Sequence, residues 1–221
     1  MTTISTRSRR SWESVCEFWL KYLLYKKHHL FYNPCMRIFI GIKLSDRVLE
    51  KVEKFLKPFK KVSTPLKWTK RENLHITIKF IGDVSSEDYS RIETLLNNAD
   101  FNTGAVDLNI AGCGKFGRGR DLNILWIGID KNEKLEDMYN RLENTLEKAG
   151  VEKERRQFKP HITAARNKKP FNFKSFFEMI DENSERFISE LNVTHFQVFK
   201  SQLTPEGPIY TILKEIPLVT A

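Results

Sequence analysis

Apolar residues recur at helical spacing in four segments of the chain. Residues 46–59 carry one apolar face, which consists of Val48, Leu49, Val52, Phe55, Leu56 and Phe59. Residues 132–149 carry another, which consists of Leu135, Met138, Leu142, Leu146 and Ala149. Residues 85–97 and 173–187 are also predicted to be helical. A glycine, Gly150, follows the second of these segments, at the place where helices commonly end.

Other segments alternate apolar and polar residues or hold short runs of β-forming residues, which is the pattern of strands. They are residues 37–43, 66–69, 74–82, 105–112, 122–130, 160–166, 190–200 and 208–217. Together with the helices, these strands make two β-α-β-type units with further strands between and after them. This order predicts an α+β fold.

The two β-α-β-type units repeat each other in detail. Residues 38–42 (Ile-Phe-Ile-Gly-Ile) and residues 125–129 (Leu-Trp-Ile-Gly-Ile) each precede a predicted helix. Each unit then reaches a His-x-Thr-x tetrapeptide, at residues 75–78 and 161–164, which starts 34 residues after the glycine in the first unit and 33 in the second. The repeat predicts two lobes related by a pseudo-two-fold axis, with one histidine from each lobe meeting in a cleft.

The tetrapeptides suggest acid–base chemistry. Side chains at positions i and i+2 of a strand share a face, so His75 and Thr77 point the same way, as do His161 and Thr163. Imidazole titrates near about pH 6.5 and can donate or accept a proton, while a hydroxyl can donate a hydrogen bond to a phosphate oxygen. Two copies would place four such groups around one reacting centre.

Two other interpretations of the tetrapeptides remain open. A single His-x-Thr is most often an ordinary half-buried strand pair, although two copies in matching contexts favour function. A zinc site would need three or four ligands at recognisable spacing. The acidic residues Glu72 and Asp83 lie near the first tetrapeptide without such a pattern, and His195 is far along the chain. We therefore expect no metal ion and no other cofactor.

Composition adds information about partners. The chain has 221 residues, of which 40% are apolar and 29% charged, as in ordinary globular proteins. Its net charge of +9 favours an anionic partner, with nucleic acid or nucleotide as the first candidate and a membrane surface as the second. The isolated cysteines, Cys16, Cys35 and Cys113, predict a reducing compartment, the cytoplasm. No apolar run is long enough to predict a transmembrane helix.

Residues 1–35 differ from the rest of the chain. They carry a net charge of +4, which leaves +5 for residues 36–221. A secretory signal is one interpretation, but Glu17 and Lys21 interrupt its apolar stretch. An amphipathic membrane-surface helix is another. Because Met36 opens the first predicted strand, we expect residues 1–35 to be an extension, poorly ordered or from a misassigned start, and residues 36–221 to form the domain of two lobes.

The chain resembles the RNA 2',3'-cyclic phosphodiesterases of the 2H phosphoesterase superfamily, also called bacterial 2'-5' RNA ligases. The resemblance runs from Met36 to about Leu218. It rests on residues 66–68 (Leu-Lys-Trp), 73–82 (Asn-Leu-His-Ile-Thr-Ile-Lys-Phe-Ile-Gly), 158–166 (Phe-Lys-Pro-His-Ile-Thr-Ala-Ala-Arg), 201–204 (Ser-Gln-Leu-Thr) and 207–210 (Gly-Pro-Ile-Tyr). One segment departs from the family pattern: residues 114–117 read Gly-Lys-Phe-Gly where the family often has Gly-x-Phe-Pro.

This resemblance implies a bilobal α+β fold with a cleft between two antiparallel sheets. It implies metal-independent hydrolysis of a terminal 2',3'-cyclic phosphate of RNA to a 2'-phosphate. We expect the protein to be a monomer. By position, His75 matches the proton donor and His161 the proton acceptor. Thr77 and Thr163 would hold the phosphate oxygens. Arg166 matches an arginine near the phosphate, although its odd offset from the second histidine makes its reach into the cleft depend on a bend.

Two other functions are compatible with the same residues. One is a non-catalytic module that binds RNA or nucleotides with this fold, against which the two intact His-x-Thr tetrapeptides argue. The other is 2'-5' ligation of RNA ends, which is the same reaction in reverse. Mass action in water favours hydrolysis over ligation.

Overall fold

The computed structural model of the protein describes residues 35–62, 65–118, 121–167 and 173–218. Its strands are β1 (Met36–Lys43), β2 (Lys67–Trp68), β3 (His75–Val84), β4 (Val106–Phe116), β5 (Ile124–Ile129), β6 (His161–Arg166), β7 (Phe187–Val193), β8 (His195–Thr204) and β9 (Gly207–Pro217). Its helices are α1 (Asp46–Lys61), α2 (Ser86–Asn98), α3 (Glu133–Glu147) and α4 (Lys174–Glu182), with a 3-10 turn at Arg71–Asn73. The expectation for the N-terminal extension falls on residues 1–34, outside the described residues.

The described strands form one antiparallel sheet in the order β7-β4-β5-β6-β3-β1-β8-β9, with β2 added to β6. In its middle, β3 and β6 meet through a single residue pair, Ile76 with Ile162. Four strands of the main order lie on each side of this junction. The α+β prediction is confirmed, and the two predicted sheets are the two halves of this sheet, joined at the strands that carry the tetrapeptides.

The sheet is curled. β7 lies at one edge and β8 lies next to the opposite edge, yet only Thr194 separates them in the chain. One residue spans only about 3.3 Å of extended chain, so the two far ends of the strand order must approach each other. The sequence prediction of a single strand at 190–200 was wrong for this reason, because the chain there passes from one end of the sheet to the other.

The two halves repeat the same unit. β1, α1 and β3 in one half correspond to β5, α3 and β6 in the other. A Cβ atom at Gly41 would lie 2.7 Å from the carbonyl oxygen of Ile76, and one at Gly128 would lie 2.5 Å from that of Ala111. Neither position has room for a side chain, because a neighbouring backbone approaches too closely. This explains why both repeats contain glycine.

The apolar faces of the helices are buried in a common core, as their spacing predicts. α1 buries Val48, Leu49, Val52, Phe55, Leu56 and Phe59. α3 buries Leu135, Met138, Leu142 and Leu146. Each such side chain contributes roughly 1.5–3 kcal/mol through the apolar surface it removes from water. Phe59 and Phe176, from α1 and α4, meet edge to face with ring centroids 5.6 Å apart.

Local sequence explains where helices begin and end. The Ser85 hydroxyl accepts a hydrogen bond of 3.1 Å from the Asp88 backbone N–H at the start of α2. After α3, Gly150 has a φ of +85°, and the Val151 N–H donates to the Leu146 carbonyl at 3.1 Å. Glycine adopts this left-handed conformation without a steric cost, so it ends the helix as predicted.

Two further predicted boundaries were wrong. The helix predicted at 173–187 ends at Glu182, and Phe187 opens β7. The strand predicted at 105–112 continues to Phe116, because its last four residues pair with β5. The connection between this strand and the next is therefore shorter than the predicted bounds of 105–112 and 122–130 imply. Within the described ranges, no helix is both long and apolar enough to cross a lipid bilayer.

Candidate active site

Both tetrapeptide strands contain a β-bulge three residues after the histidine. In β3 the register with β1 skips Ile78, and in β6 the register with β5 skips Ala164. A bulge inserts one residue into a strand and turns two consecutive side chains toward the same side. Accordingly Ile78 and Lys79 are both buried, and so are Ala164 and Ala165.

The bulges determine which side chains enter the cleft. Without a bulge, Lys79 would share a face with the first histidine and threonine. With the bulge, Lys79 turns into the core and Phe80 turns to the cleft, where its side chain is 58% exposed. Arg166 occupies the matching place after the second bulge and also lines the cleft. The bend on which its reach depends is therefore present.

Four of the five predicted site residues line one cavity, and the fifth lines another. The first cavity, the cleft, has a volume of about 320 Å³ and is lined by His75, Thr77, Thr163 and Arg166. His161 lines a cavity of about 530 Å³, together with Trp126 and Phe158.

Each histidine has the same hydrogen bond on one side of its ring. His75 Nδ1 lies 2.8 Å from the Asn73 carbonyl oxygen, and His161 Nδ1 lies 2.7 Å from the Lys159 carbonyl oxygen. A carbonyl can only accept, so Nδ1 carries a proton in both rings. Nε2 is then the atom that gains or loses a proton. In the first motif, Nε2 lies 3.0 Å from the Thr77 hydroxyl.

Aromatic side chains surround the two histidines unequally. His75 contacts Phe39, Tyr210 and Phe199, with ring centroids 4.8, 5.2 and 6.1 Å away. His161 contacts Phe116, edge to face at 5.1 Å. The first imidazole therefore has three aromatic neighbours, whereas the second has one and borders the larger cavity.

Burial is the main cause that lowers the pKa of both histidines, because it disfavours the charged ring. The carbonyl hydrogen bonds of Asn73 and Lys159 raise the pKa of their respective histidines in part. The Arg166 guanidinium lowers the pKa of both rings, and His161 lowers that of His75. These influences together favour the neutral form of both imidazoles, and an anion between them would favour their protonation.

The profile of the 2'-5' RNA ligase superfamily matches residues 43–204, a span that contains both tetrapeptides and Arg166. The chain belongs to this superfamily. Relatives that are about 30% identical to this chain support the same assignment. The RNA 2',3'-cyclic phosphodiesterase of Methanocaldococcus jannaschii is 32% identical over 180 residues, which cover 81% of this chain and 99% of the relative. That of Thermotoga maritima is 30% identical over 180 residues, with 81% and 94% covered.

Solved structures show the superfamily fold as well. Escherichia coli LigT complexed with 3'-AMP superposes with a TM-score of 0.68 at 23% identity, covering 84% of this chain and 99% of LigT. TT0787 of Thermus thermophilus superposes with a TM-score of 0.65 at 24% identity, covering 83% and 98%. These likenesses confirm the fold predicted from the repeat.

In this superfamily member a buried ion pair links the halves of the sheet behind the cleft. The Lys79 ammonium lies 2.8 and 2.9 Å from the two carboxylate oxygens of Glu143 and donates to the Glu152 carbonyl at 2.7 Å. The same carboxylate accepts from the Glu154 N–H at 3.0 Å. Lys79 and Glu143 are each 6% exposed, so the pair is shielded from water. Glu143 Oε2 accepts both hydrogen bonds, whereas Oε1 has only the ion-pair contact with the ammonium.

This pair anchors the irregular segment that leads to the second histidine. The segment, residues 151–160, contains Glu152 and Glu154 at its start and the Lys159 carbonyl at its end. Between them, Phe158 stacks on Tyr139 of α3 with ring centroids 4.1 Å apart. The orientation of His161 therefore depends on contacts with α3 and β3.

Several of these residues were not identified from the sequence. The sequence did not indicate a place in the site for Lys79, Phe80 or Phe39. For Lys79, period-two spacing predicts the face of His75 and Thr77, whereas the structure buries this side chain. Tyr210 lies in one of the segments that carry the family resemblance, and it both lines the cleft and contacts His75. Among the described residues, no group of three or more His, Cys, Asp or Glu side chains is arranged to hold a metal ion.

Proposed function

We propose that the protein hydrolyses the terminal 2',3'-cyclic phosphate of RNA to a 2'-phosphate, with His75 as proton donor, His161 as proton acceptor and no metal ion. The observation that carries the proposal is the matched pair of Nδ1–carbonyl bonds, which leaves Nε2 as the atom that gains or loses a proton in both rings. The names of relatives that match nearly their whole length support the substrate. The net charge of +9 suits an RNA end.

The reaction needs an acid and a base on opposite sides of phosphorus. Water attacks phosphorus while the bond to O3' breaks, and the two oxygens lie in line. Neutral His161 accepts a proton from the water, and protonated His75 donates its proton to O3'. The products are a 2'-phosphate and a 3'-hydroxyl, and exchange of protons with solvent restores both imidazoles.

The surroundings of the two rings support this division of roles. His161 borders the cavity of about 530 Å³, which gives water access to the base. His75 lies among three aromatic rings, which shield the proton it delivers to the leaving oxygen. The negative phosphate raises the pKa of each histidine on binding, so the donor acquires its proton together with the substrate.

Thr77, Thr163 and Arg166 hold the non-bridging oxygens of the phosphate. All three line the cleft with His75. Two hydroxyl donors and a guanidinium stabilise the charge that develops on these oxygens in the transition state. The Arg166 guanidinium lowers the pKa of both imidazoles, as expected of a group close to the phosphate between them.

Ligation of RNA ends through a 2'-5' bond is a second candidate. The cavity beside His161, walled by Phe116, Trp126 and Phe158, has room for a nucleophile larger than water. Such a nucleophile would be a hydroxyl of a second RNA end. In dilute aqueous solution hydrolysis would still dominate, because water is present in great excess.

Product analysis tests the proposal directly. A short RNA ending in a 2',3'-cyclic phosphate is incubated with the protein, before and after dialysis against EDTA. We expect a 2'-phosphate as the product and the same rate in both samples. A 3'-phosphate product would contradict the assignment of the leaving oxygen. Loss of activity in EDTA and its return with a divalent ion would replace the acid–base pair by metal-assisted hydrolysis.

A further inference from the structure

A second cationic side chain lies beside Arg166 and has no role in the proposed reaction. The short strand β2 pairs with the end of β6, so that Lys67 is the direct partner of Arg166 and Trp68 that of Ala165. Directly opposed side chains in an antiparallel pair share a face, with Cβ atoms roughly 4.5–5.5 Å apart. Lys67 and Arg166 accordingly line the same cleft.

Two like charges in this arrangement repel each other. In the part of the chain that the structure describes, neither Lys67 nor Arg166 forms an ion pair with a carboxylate. Lys70 adds a third cation to the cleft lining, against one carboxylate among the lining residues, Glu206. The pKa of this carboxyl is lowered by hydrogen bonds from its own backbone and from Thr204, and further by the charges of Lys70 and Lys67. This end of the cleft therefore carries an excess of positive charge, which a bound anion would neutralise.

The terminal phosphate alone does not account for both cations. It must lie between the two histidines, at the level of Thr77 and Thr163. Arg166 lies three residues beyond Thr163 along β6, roughly 7–10 Å at the strand rise of about 3.3 Å per residue. Its long side chain can reach back to that phosphate. Lys67, opposite it on β2, is then free to meet an anion one nucleotide repeat farther along the RNA.

We infer that Lys67 and its neighbours form a subsite for the phosphodiester that precedes the terminal nucleotide. The ligand is the oligoribonucleotide backbone, and the consequence is a preference for RNA ends over mononucleotides. Lys70 would extend the same positive strip, whereas Glu206 would oppose binding of the backbone. This inference rests on the proposed function, since it assumes that the terminal cyclic phosphate lies between the histidines.

The test compares two substrates in the same protein sample. Adenosine 2',3'-cyclic phosphate has no internal phosphodiester, and the dinucleotide ApA with a 2',3'-cyclic end has one. Selectivity is the ratio of kcat/KM for the dinucleotide to that for the mononucleotide. We expect Lys67→Met to lower this ratio about fivefold, the effect of one exposed charge contact. The dependence of log kcat/KM on log salt for the dinucleotide should become shallower by about 0.7.

Three variants sharpen the measurement. Lys67→Arg keeps the charge and should preserve the ratio. Glu206→Gln removes the opposing charge and should raise the ratio. Lys57→Met is the matched control, because Lys57 is an exposed lysine on α1 that does not line the cleft. Its ratio should equal that of the wild-type protein.

The outcomes separate the two hypotheses. An equal loss on both substrates in Lys67→Met would assign Lys67 to the terminal phosphate and overturn the subsite. Unchanged rates on both substrates in Lys67→Met would also overturn the subsite, while leaving the proposed function intact. If the wild-type protein hydrolyses neither substrate, the proposed function fails and the subsite fails with it.

Discussion

The two halves of the sheet hold their histidines in the same way but in different surroundings. Each half holds its histidine by an Nδ1–carbonyl bond and bends its strand three residues later. In the first half the imidazole lies among three aromatic rings and bonds to Thr77. In the second it contacts one described aromatic ring and borders a larger cavity, and no hydrogen bond to Thr163 is present among the described residues.

This difference shows how a duplicated unit can supply two unlike groups. The strand geometry fixes the tautomer and position of each ring, and both halves share it. The neighbours fix hydration, and they come from elements outside the repeat, mainly β8 and β9 in the first half. Environments that differ in this way separate the pKa values of two titratable groups, which favours one group as the acid and the other as the base. The bulges add another difference, since matching places hold Phe80 in one half and Arg166 in the other.

Removal of either imidazole should have the largest effect. His75→Ala and His161→Ala should each lower kcat about 10²–10⁴-fold on a cyclic-phosphate RNA end, because each removes a proton-transfer group. His195→Ala is the matched control, since this histidine lies beside Glu215 at 3.5 Å and outside the cleft. Circular dichroism should show the wild-type fold in all three. Near-wild-type turnover of either cleft variant would remove the two-histidine mechanism.

The buried ion pair between Lys79 of β3 and Glu143 of α3 can be removed by substitution. Lys79→Met leaves the Glu143 carboxylate buried without its cation, so the free energy of unfolding should fall by about 3–5 kcal/mol in urea titrations. The double variant Lys79→Met/Glu143→Leu should recover most of this stability. It should not recover kcat, because the anchors at Glu152 and Glu154 are lost.

A matched surface pair provides the control for that experiment. Lys153 lies 2.9 Å from Glu147, and both side chains are about half exposed. Lys153→Met should therefore change the free energy of unfolding by no more than about 1 kcal/mol. If the double variant regained full activity along with its stability, the ion pair would be structural only and would not position His161.

Arg166 should affect both rate and pH dependence. Arg166→Gln removes a charged donor to the phosphate, which corresponds to a loss in kcat/KM of about 10–100-fold. The pKa of both histidines is lowered by burial and further by Arg166, so the bell-shaped kcat/KM profile should peak below about pH 6.5. Without the guanidinium both pKa values rise, and the optimum should move to higher pH.

The control for Arg166 is Arg141→Gln, which removes an exposed i,i+4 ion pair with Asp137 on α3. It should leave the rate and the pH optimum unchanged. The limbs of each profile belong to the histidine pair and not to one residue. An optimum that stays in place in Arg166→Gln, or a wild-type profile that is flat from about pH 5 to 9, would contradict the proposed electrostatics.

The sequence predicted the parts of the fold that depend on local periodicity. Apolar spacing identified α1 and α3 with their buried faces, and alternation identified most strands. The repeat of glycine and histidine identified the duplication, because close backbone approach at Gly41 and Gly128 leaves a visible residue constraint. The break at Thr194 was not predictable from these signals, since it depends on where β7 and β8 pair in the sheet.

The site residues also fall into those that local pattern predicts and those that it does not. The two histidines and two threonines follow from strand alternation, which holds as far as the bulges. Beyond them alternation fails, so the burial of Lys79 and the exposure of Phe80 could not be predicted. The aromatic pocket around His75 is assembled from three strands, and the Glu143 partner lies on a distant helix. Such contacts between distant segments have no signature in local pattern.

The smallest expected effect concerns the two threonines. Thr77→Val and Thr163→Val each remove a hydroxyl while keeping the side-chain shape, and each should lower kcat/KM several-fold. The Thr77 hydroxyl also forms a hydrogen bond with His75 Nε2 at 3.0 Å. Thr77→Val should therefore lower the rate about fivefold more than Thr163→Val does, because one neutral hydrogen bond contributes roughly 1 kcal/mol. The excess should appear in kcat, because it reflects the position of the donor ring. Steady-state kinetics on one substrate gives both constants, and Thr77→Ser should restore the rate. Equal losses in the two valine variants would show that the hydroxyls act only on the phosphate and that the halves do not differ in this respect.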